Sequence, residues 1–198
     1  EAQPEVRVAV TLAQAVLKGD KMDDVVRDAV MMGVAVIQPL VTTRSEVALA
    51  SLRRGNRQDR WQRITVSSAK QCGRAVVPMV LEPRTFDEVI TSLGDTEAPG
   101  QGLMFVEPSV SADVASLDDL DGKPPRASTI LVGPEGGWTE AERAEARDRG
   151  QVGEAVAEVL AGAFLLRAAR ATQDRHEGER EDECAYAFKL FHDWFLQR

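Results

Sequence analysis

The sequence predicts an α/β domain, a parallel sheet covered by helices on both faces to make three layers. Three observations carry that expectation. Segments of strand length alternate with amphipathic segments of helix length along the chain. The first strand, helix and second strand follow one another within Val6–Leu40, the pattern of a parallel pair joined by a crossover helix. The apolar run Thr129–Val132 passes straight into Gly133-Pro134-Glu135-Gly136-Gly137 and then into a polar helix. A strand, a glycine loop and a helix start can make a ligand site at the end of a sheet, and the same spacing also serves an ordinary β–α turn.

The elements follow in order. Val6–Leu12 reads as a strand, and Lys18-Gly19-Asp20-Lys21-Met22 as a turn. Met22, Val25, Val26, Ala29 and Val30 share one helical face, Gly33 ends that helix, and Val34–Leu40 is a buried strand. Thr42–Asn56 is polar and expected to be irregular. A helix over Arg57–Cys72 has Trp61, Ile64, Thr65 and Ser68 on its apolar side and a basic opposite side. Val76–Leu81 is a short strand. Thr85 and Glu88 have capping-box spacing, which starts a helix over Phe86–Ser92, and Thr139 and Glu142 repeat it for a helix over Thr139–Arg149. Gly94–Gly102 is turn-rich, Leu103–Val106 a strand, and Ser109–Arg126 an acidic surface loop with Pro124 and Pro125. Ala155–Ala161 reads as the last strand and Gly162–Ala171 as a turn into a helix. The tail Cys184–Arg198 is an amphipathic helix with Phe188, Phe191, Trp194 and Phe195 on one face, suited either to its own domain or to a subunit interface.

Composition limits the function. A chain of 198 residues, 43% hydrophobic, suffices for one domain with a sizeable core. A net charge of -8 argues against a general nucleic-acid coating protein but leaves room for a local basic patch. Such a stripe exists: Arg53, Arg54, Arg57, Arg60 and Arg63, with Lys70 and Arg74 beyond. It is either a solvated helix face or a phosphate track. Cys72 and Cys184 are far apart, and with only His176 and His192 no zinc spacing arises, so no metal is expected. A reduced, cytoplasmic setting is expected, with no membrane span and no signal peptide. The chain starts at Glu1 instead of a methionine, which leaves an upstream segment open.

Several separated motifs, in this order, add up to a family. They are Lys18-Gly19-Asp20-Lys21-Met22, Met32-Gly33-Val34, Arg60-Trp61, Gln71-Cys72-Gly73-Arg74 with Pro78 beyond, and Leu131-Val132-Gly133-Pro134-Glu135-Gly136-Gly137, the most specific of them. Leu160–Arg167 looks like the family's final cofactor loop. Over about Val6 to Arg170 the chain resembles the uridine-N3 methyltransferases of the SPOUT superfamily, which act on small-subunit (16S) ribosomal RNA. The resemblance implies one SPOUT domain over residues 1–198, closed by the amphipathic helix 184–198, with a C-terminal trefoil knot. It implies a homodimer that binds S-adenosylmethionine in the knot and acts on ribosomal RNA or the small ribosomal subunit.

Carried over residue by residue, the cofactor pocket would be lined by backbone around Gly133, Pro134, Glu135, Gly136, Leu160, Gly162 and Leu165, with Glu107 at the tip of a neighbouring strand. Read as a phosphate track, the basic stripe would put Arg57, Arg60 and Arg63 on RNA, and Arg74, which matches the arginine closing the family's Gln-Cys-Gly-Arg motif, would join them. Arg167 would be catalytic: as the N3 proton leaves, charge spreads onto the uracil oxygens, and an arginine stays charged and offers several donors there. The chain departs from the family at Ala161, at Ala163-Phe164 in place of Pro-Arg, at Ala168-Ala169-Arg170 in place of Thr-Glu-Thr, and at Lys70-Gln71 in place of Glu-Gln. The family's N-terminal barrel of the PUA type has no room before Val6. Two alternatives stay open: a SPOUT methyltransferase for another RNA position, such as a ribose 2′-hydroxyl, and a divergent knotted dimer that binds RNA or a protein partner without methylating. A dehydrogenase-type nucleotide site is disfavoured because the loop is not G-x-G-x-x-G.

Overall fold

A computed structural model describes residues 8–95, 100–106, 126–150 and 152–156. The elements run β1 (Ala9–Ala15), α1 (Lys21–Met31), β2 (Val36–Val41), α2 (Leu49–Arg54), α3 (Arg57–Cys72), β3 (Met79–Val80), β4 (Arg84–Thr85), α4 (Phe86–Gly94), β5 (Gly100–Val106), β6 (Ala127–Val132), α5 (Glu140–Gly150) and β7 (Val152–Val156). The sheet is ordered β3-β2-β1-β6-β5-β7, with β4 also paired to β2, and all pairs are parallel. Parallel strands need covered faces, and two hydrophobic clusters supply the cover. On one side α1 and α3 pack on each other, and Val10, Leu12, Ile37 and Ile130 join Met22, Val26 and Trp61. On the other, α4 and α5 pack together, and Ala13, Ala15, Leu40, Met104 and Leu131 join Phe86, Ile90 and Trp138. Leu12 and Ala13, like Ile130 and Leu131, fall in opposite clusters because successive strand residues point to opposite faces.

The first β-α-β unit forms as expected in kind, but its first strand is Ala9–Ala15 and not Val6–Leu12, since the apolar run continues past Leu12; the five residues assigned to the buried face of α1 are buried. Gly33 takes a φ of 90° just past the α1 C-cap, which a residue with a side chain adopts rarely. α3 has the predicted bounds, and Gly73 at φ 71° stops it in the left-handed conformation. The capping box of α4 is fully formed.

Four expectations need correction. Thr42–Asn56 is not irregular throughout: Leu49–Arg54 forms α2, built of good helix formers and anchored by Leu52, too short for its periodicity to register. Met79–Val80 is all that remains of the strand expected over Val76–Leu81; Val76 and Val77 are exposed. β5 begins at Gly100, inside the stretch read as turns. The last described strand is Val152–Val156, earlier than Ala155–Ala161, because Glu154 hides in the sheet as one half of a buried ion pair. The loop 107–125 and everything beyond 156, the knot region and terminal helix included, lie outside the described residues.

Candidate functional site

The order β2-β1-β6-β5 brings the carboxyl ends of these strands side by side, and the loops that leave β2, β1 and β6 meet. The connection from β1 leads to β2 on one side and that from β6 leads to β7 on the other, so the switch point at which open parallel sheets bind ligands lies between β1 and β6. The loop beyond β6 is a tight turn: the Gly137 N–H donates to the Pro134 carbonyl at 2.8 Å, and Gly137 has a φ of 67°. Trp138 closes it from below. Its Nε1–H donates to the Phe105 carbonyl at 2.8 Å, its ring lies 5.4 Å from that of Phe86, and a Cβ on Gly133 would stand 3.2 Å from it. A side chain at Gly133 would thus press on the tryptophan ring, and the turn is tied to β5.

Three side chains fasten the neighbouring loops to this turn. Glu135 faces the loop after β1, its carboxylate 3.4 Å from the Lys21 ammonium. Burial pushes the Glu135 carboxyl up, but its own N–H, Lys21 and the Lys18 N–H outweigh that and hold it below its usual value. Glu142, only 5% exposed, accepts from the Thr139 N–H and hydroxyl with one oxygen, at 2.8 and 2.9 Å, and from the Thr43 N–H with the other, at 2.8 Å. Burial again pushes up, and these donors again prevail, so its carboxyl titrates below the usual range. Arg44, from the loop after β2, donates from Nη1 to the Gly136 carbonyl at 2.6 Å. The result is a preorganised glycine turn over an apolar floor that includes Ala15, Leu131, Met104 and Val106.

Of the predicted cofactor residues, Gly133, Pro134, Glu135 and Gly136 form this turn; Glu107, Leu160, Gly162, Leu165 and Arg167 lie outside the described residues. The predicted RNA residues divide. Arg57 and Arg63 are exposed on α3, and Arg63 Nε donates to the Asp59 carbonyl at 3.2 Å. Arg60 pairs with Asp20, at 3.2 Å, and with Asp23. Arg74 donates to the carbonyls of Val30 and Val34 at 3.0 and 2.8 Å, at the carboxyl end of α1. Sequence reading missed Arg44 and the second oxygen of Glu142, since nothing local announces a bond to a loop about a hundred residues away. It also missed Trp138, although a large aromatic beside a glycine turn was a signal. Among the described residues no group of His, Cys, Asp and Glu could hold a metal, and no helix is long and apolar enough to cross a membrane.

Comparison with known proteins sets this geometry in context. Residues 4–156 match the family model described as an RNA methyltransferase domain. The chain is 30% identical over 140 residues to ribosomal RNA small subunit methyltransferase E of Synechocystis, covering 71% of this chain and 44% of the relative. It is 27% identical over 140 residues to the protein of that name from Bacillus subtilis, covering 70% and 54%. The chain thus spans about half the length of these curated relatives. Among solved structures it is similar to a ribosomal RNA small subunit methyltransferase E from Neisseria gonorrhoeae bound to S-adenosyl methionine, at a TM-score of 0.65 and 31% identity over 77% of this chain and 59% of that one. A putative methyltransferase of Legionella pneumophila, in complex with the bound cofactor SAM, gives a TM-score of 0.64 and 26% identity, covering 76% and 58%.

Proposed function

This chain belongs to the RNA methyltransferase domain family, and from that premise we propose that it transfers a methyl group from S-adenosylmethionine to N3 of a uridine in small-subunit ribosomal RNA. The observation that carries the reading is the glycine turn Gly133–Gly137, inside the matched region and at the carboxyl ends of adjacent central strands. Relatives named for the methylation of small-subunit ribosomal RNA support the substrate, and similar structures with S-adenosyl methionine bound support the donor. The residues present fit that donor. Glycines at 133, 136 and 137 put no side chain on the turn, so a ligand can approach its backbone closely.

S-adenosylmethionine supplies an already activated methyl group, so the protein's task is mainly to hold donor and acceptor in line. Backbone of the turn holds the donor, together with Leu160, Gly162, Leu165 and Glu107. Arg167 stabilises charge on the uracil oxygens. Of the basic stripe, Arg57 and Arg63 are well placed to take RNA phosphates, because neither has a carboxylate partner among the described residues, whereas Arg60 is paired with two aspartates and Arg74 bonds two carbonyls. The proposal extends to a trefoil knot in the C-terminal part, a single domain over 1–198, a cytoplasmic homodimer, and a terminal helix 184–198 that braces the knot or the dimer. A second reading, a knotted dimer that binds RNA without methylating it, draws on Ala163-Phe164 and Ala169, where the resembled family carries Pro-Arg and Glu.

Calorimetric titration with S-adenosylmethionine and with its demethylated product tests the first step. Gly136 does not have a left-handed φ, and a Cβ there would meet only the Arg44 stem, at 3.4 Å. Gly136→Val is therefore expected to fold and to lose cofactor binding, because a branched side chain would stand over the turn. Absence of heat with the wild-type protein would remove the reading's main support. Methyl transfer to small-subunit ribosomal RNA, with the methylated atom located by mass spectrometry of the nucleosides, tests the rest. Arg167→Ala is expected to cost about 3–4 kcal/mol in the transfer step, roughly a hundredfold or more in rate, with little change in cofactor affinity. Equal rates would end its catalytic role.

A further inference from the structure

Arg44 has no part in the reading above, yet it is the one side chain from another loop that bonds the carbonyl of Gly136 among the described residues. It leaves the end of β2 and reaches past the end of β1 to the turn beyond β6. Its stem lies along Gly136, with Cδ and Cβ 3.4 and 3.5 Å from where a Cβ would be. Its own loop is held firmly: the Thr42 N–H donates to Ser45 Oγ at 3.0 Å, the Thr43 N–H to Glu142 at 2.8 Å, and Glu46 pairs with Lys18 at 2.9 Å. A long exposed side chain is thus presented from a fixed base at the rim of the site.

Charge separates Arg44 from its neighbours. Lys18 has Glu46, Lys21 has Glu135, Arg60 has Asp20 and Asp23, and Arg53 has Glu88. Arg44 has no carboxylate partner among the described residues; its one anchor is a neutral carbonyl. A guanidinium with one N–H engaged keeps the rest of its planar fork, the donor set that fits a phosphate. From Arg44 the chain leads through α2 to Arg54 and Arg57, which are exposed and likewise without a carboxylate among the described residues.

We infer that Arg44 is an RNA contact: it takes a backbone phosphate beside the glycine turn and so sets the register of the strand that continues along Arg54 and Arg57. The inference rests on the RNA reading of the preceding section. It deepens that reading by naming the contact nearest the cofactor loop.

The test uses the full chain and a fluorescein-labelled small-subunit rRNA transcript, with binding followed by anisotropy over a potassium chloride series. S-adenosylhomocysteine is titrated in parallel. Arg44→Ala is expected to weaken RNA binding about tenfold at low salt and to lower the salt slope by about one. Arg44→Lys should keep the slope and recover part of the affinity. Affinity for S-adenosylhomocysteine should fall by less than RNA affinity in Arg44→Ala, which removes one bond that holds the turn, and should be unchanged in Arg44→Lys, which keeps a donor for the Gly136 carbonyl. Unaltered RNA affinity and slope in Arg44→Ala would overturn the inference. So would loss of S-adenosylhomocysteine binding, which would make Arg44 a partner of the cofactor carboxylate, and so would wild-type protein without salt-dependent RNA binding. A wild-type chain that binds RNA through Arg44 but takes no cofactor would instead defeat the methyl-transfer reading and leave the contact standing.

Discussion

α4 and α5 pack on each other over the same face of the sheet, and each begins with the same four-residue cap. In α4 the Glu88 N–H donates to Thr85 Oγ1 at 3.1 Å and the Thr85 N–H returns to Glu88 at 2.9 Å; in α5 the corresponding distances for Thr139 and Glu142 are 3.2 and 2.8 Å. Beyond the cap they differ. α4 is held by an apolar stripe of Phe86, Val89 and Ile90, and its cap carboxylate is half exposed. α5 is a polar helix with Ala146 as its one buried apolar side chain. It is held through Glu142, which reaches Thr43, and through Arg143, which grips Glu154 of β7 with bonds of 3.0 and 2.6 Å between side chains that are 7% and 6% exposed. One helix is placed by an apolar stripe that fits wherever the volume is right, the other by bonds that fit in one position only. The second kind stands beside the glycine turn, where position decides function.

The comparison can be broken at several points. Arg143→Ala should have the largest effect, about 3–5 kcal/mol from urea unfolding, because it leaves the buried Glu154 carboxylate with only the more distant Arg147, 3.8 Å away, among the described residues; replacing Arg143 and Glu154 together by Met and Leu should recover most of it. A single mutant with no loss would mean that the pair does not hold α5. Glu142→Ala should follow, at about 3 kcal/mol, since it leaves the N–H groups of Thr43 and Thr139 without a partner. It should also weaken S-adenosylhomocysteine binding, whereas Glu88→Ala should lose far less stability and leave binding intact. Equal behaviour of the two variants would erase the distinction drawn here.

Acid acts on both caps, since the Thr85 N–H holds the exposed Glu88 carboxyl below its ordinary value too. The Glu142 carboxyl is depressed in the folded protein below its ordinary value of 4.5. Its contribution is thus complete above that value and disappears as pH falls through the folded one. Glu142→Gln should remove that part of the acid limb, as read from unfolding midpoints between about pH 6 and pH 3. The smallest effects belong to the hydroxyls: Thr85→Ala and Thr139→Ala should each cost about 1 kcal/mol, alike because the cap itself is alike.

What could be read in the sequence follows from the range of the forces. The buried face of α1, the bounds of α3 and both caps depend on residues three or four apart, and all were legible. The glycine turn was legible as a motif, but its geometry depends on Trp138, Arg44 and Glu142, whose partners lie far along the chain. The basic stripe shows the opposite failure. Sequence grouped Arg60 and Arg74 in one basic stripe, and the fold engages one with two aspartates and the other with the carbonyls of Val30 and Val34. β7 was misplaced for a related reason, because a glutamate within a strand reads as a boundary until its arginine is found.

The register of β1 has a consequence in time. One edge pairs with β2, which follows it directly; the other pairs with β6, beginning at Ala9 opposite Ala127. At synthesis rates of about 5–20 residues per second, β1 has one open edge for several seconds while the chain up to β6 is being made. Lys18, Thr43 and Arg44 are made early and acquire Glu135, Glu142 and Gly136 only at the end of that wait. The turn is therefore braced abruptly and late, and a chain that stalls before β6 exposes a strand edge to its neighbours.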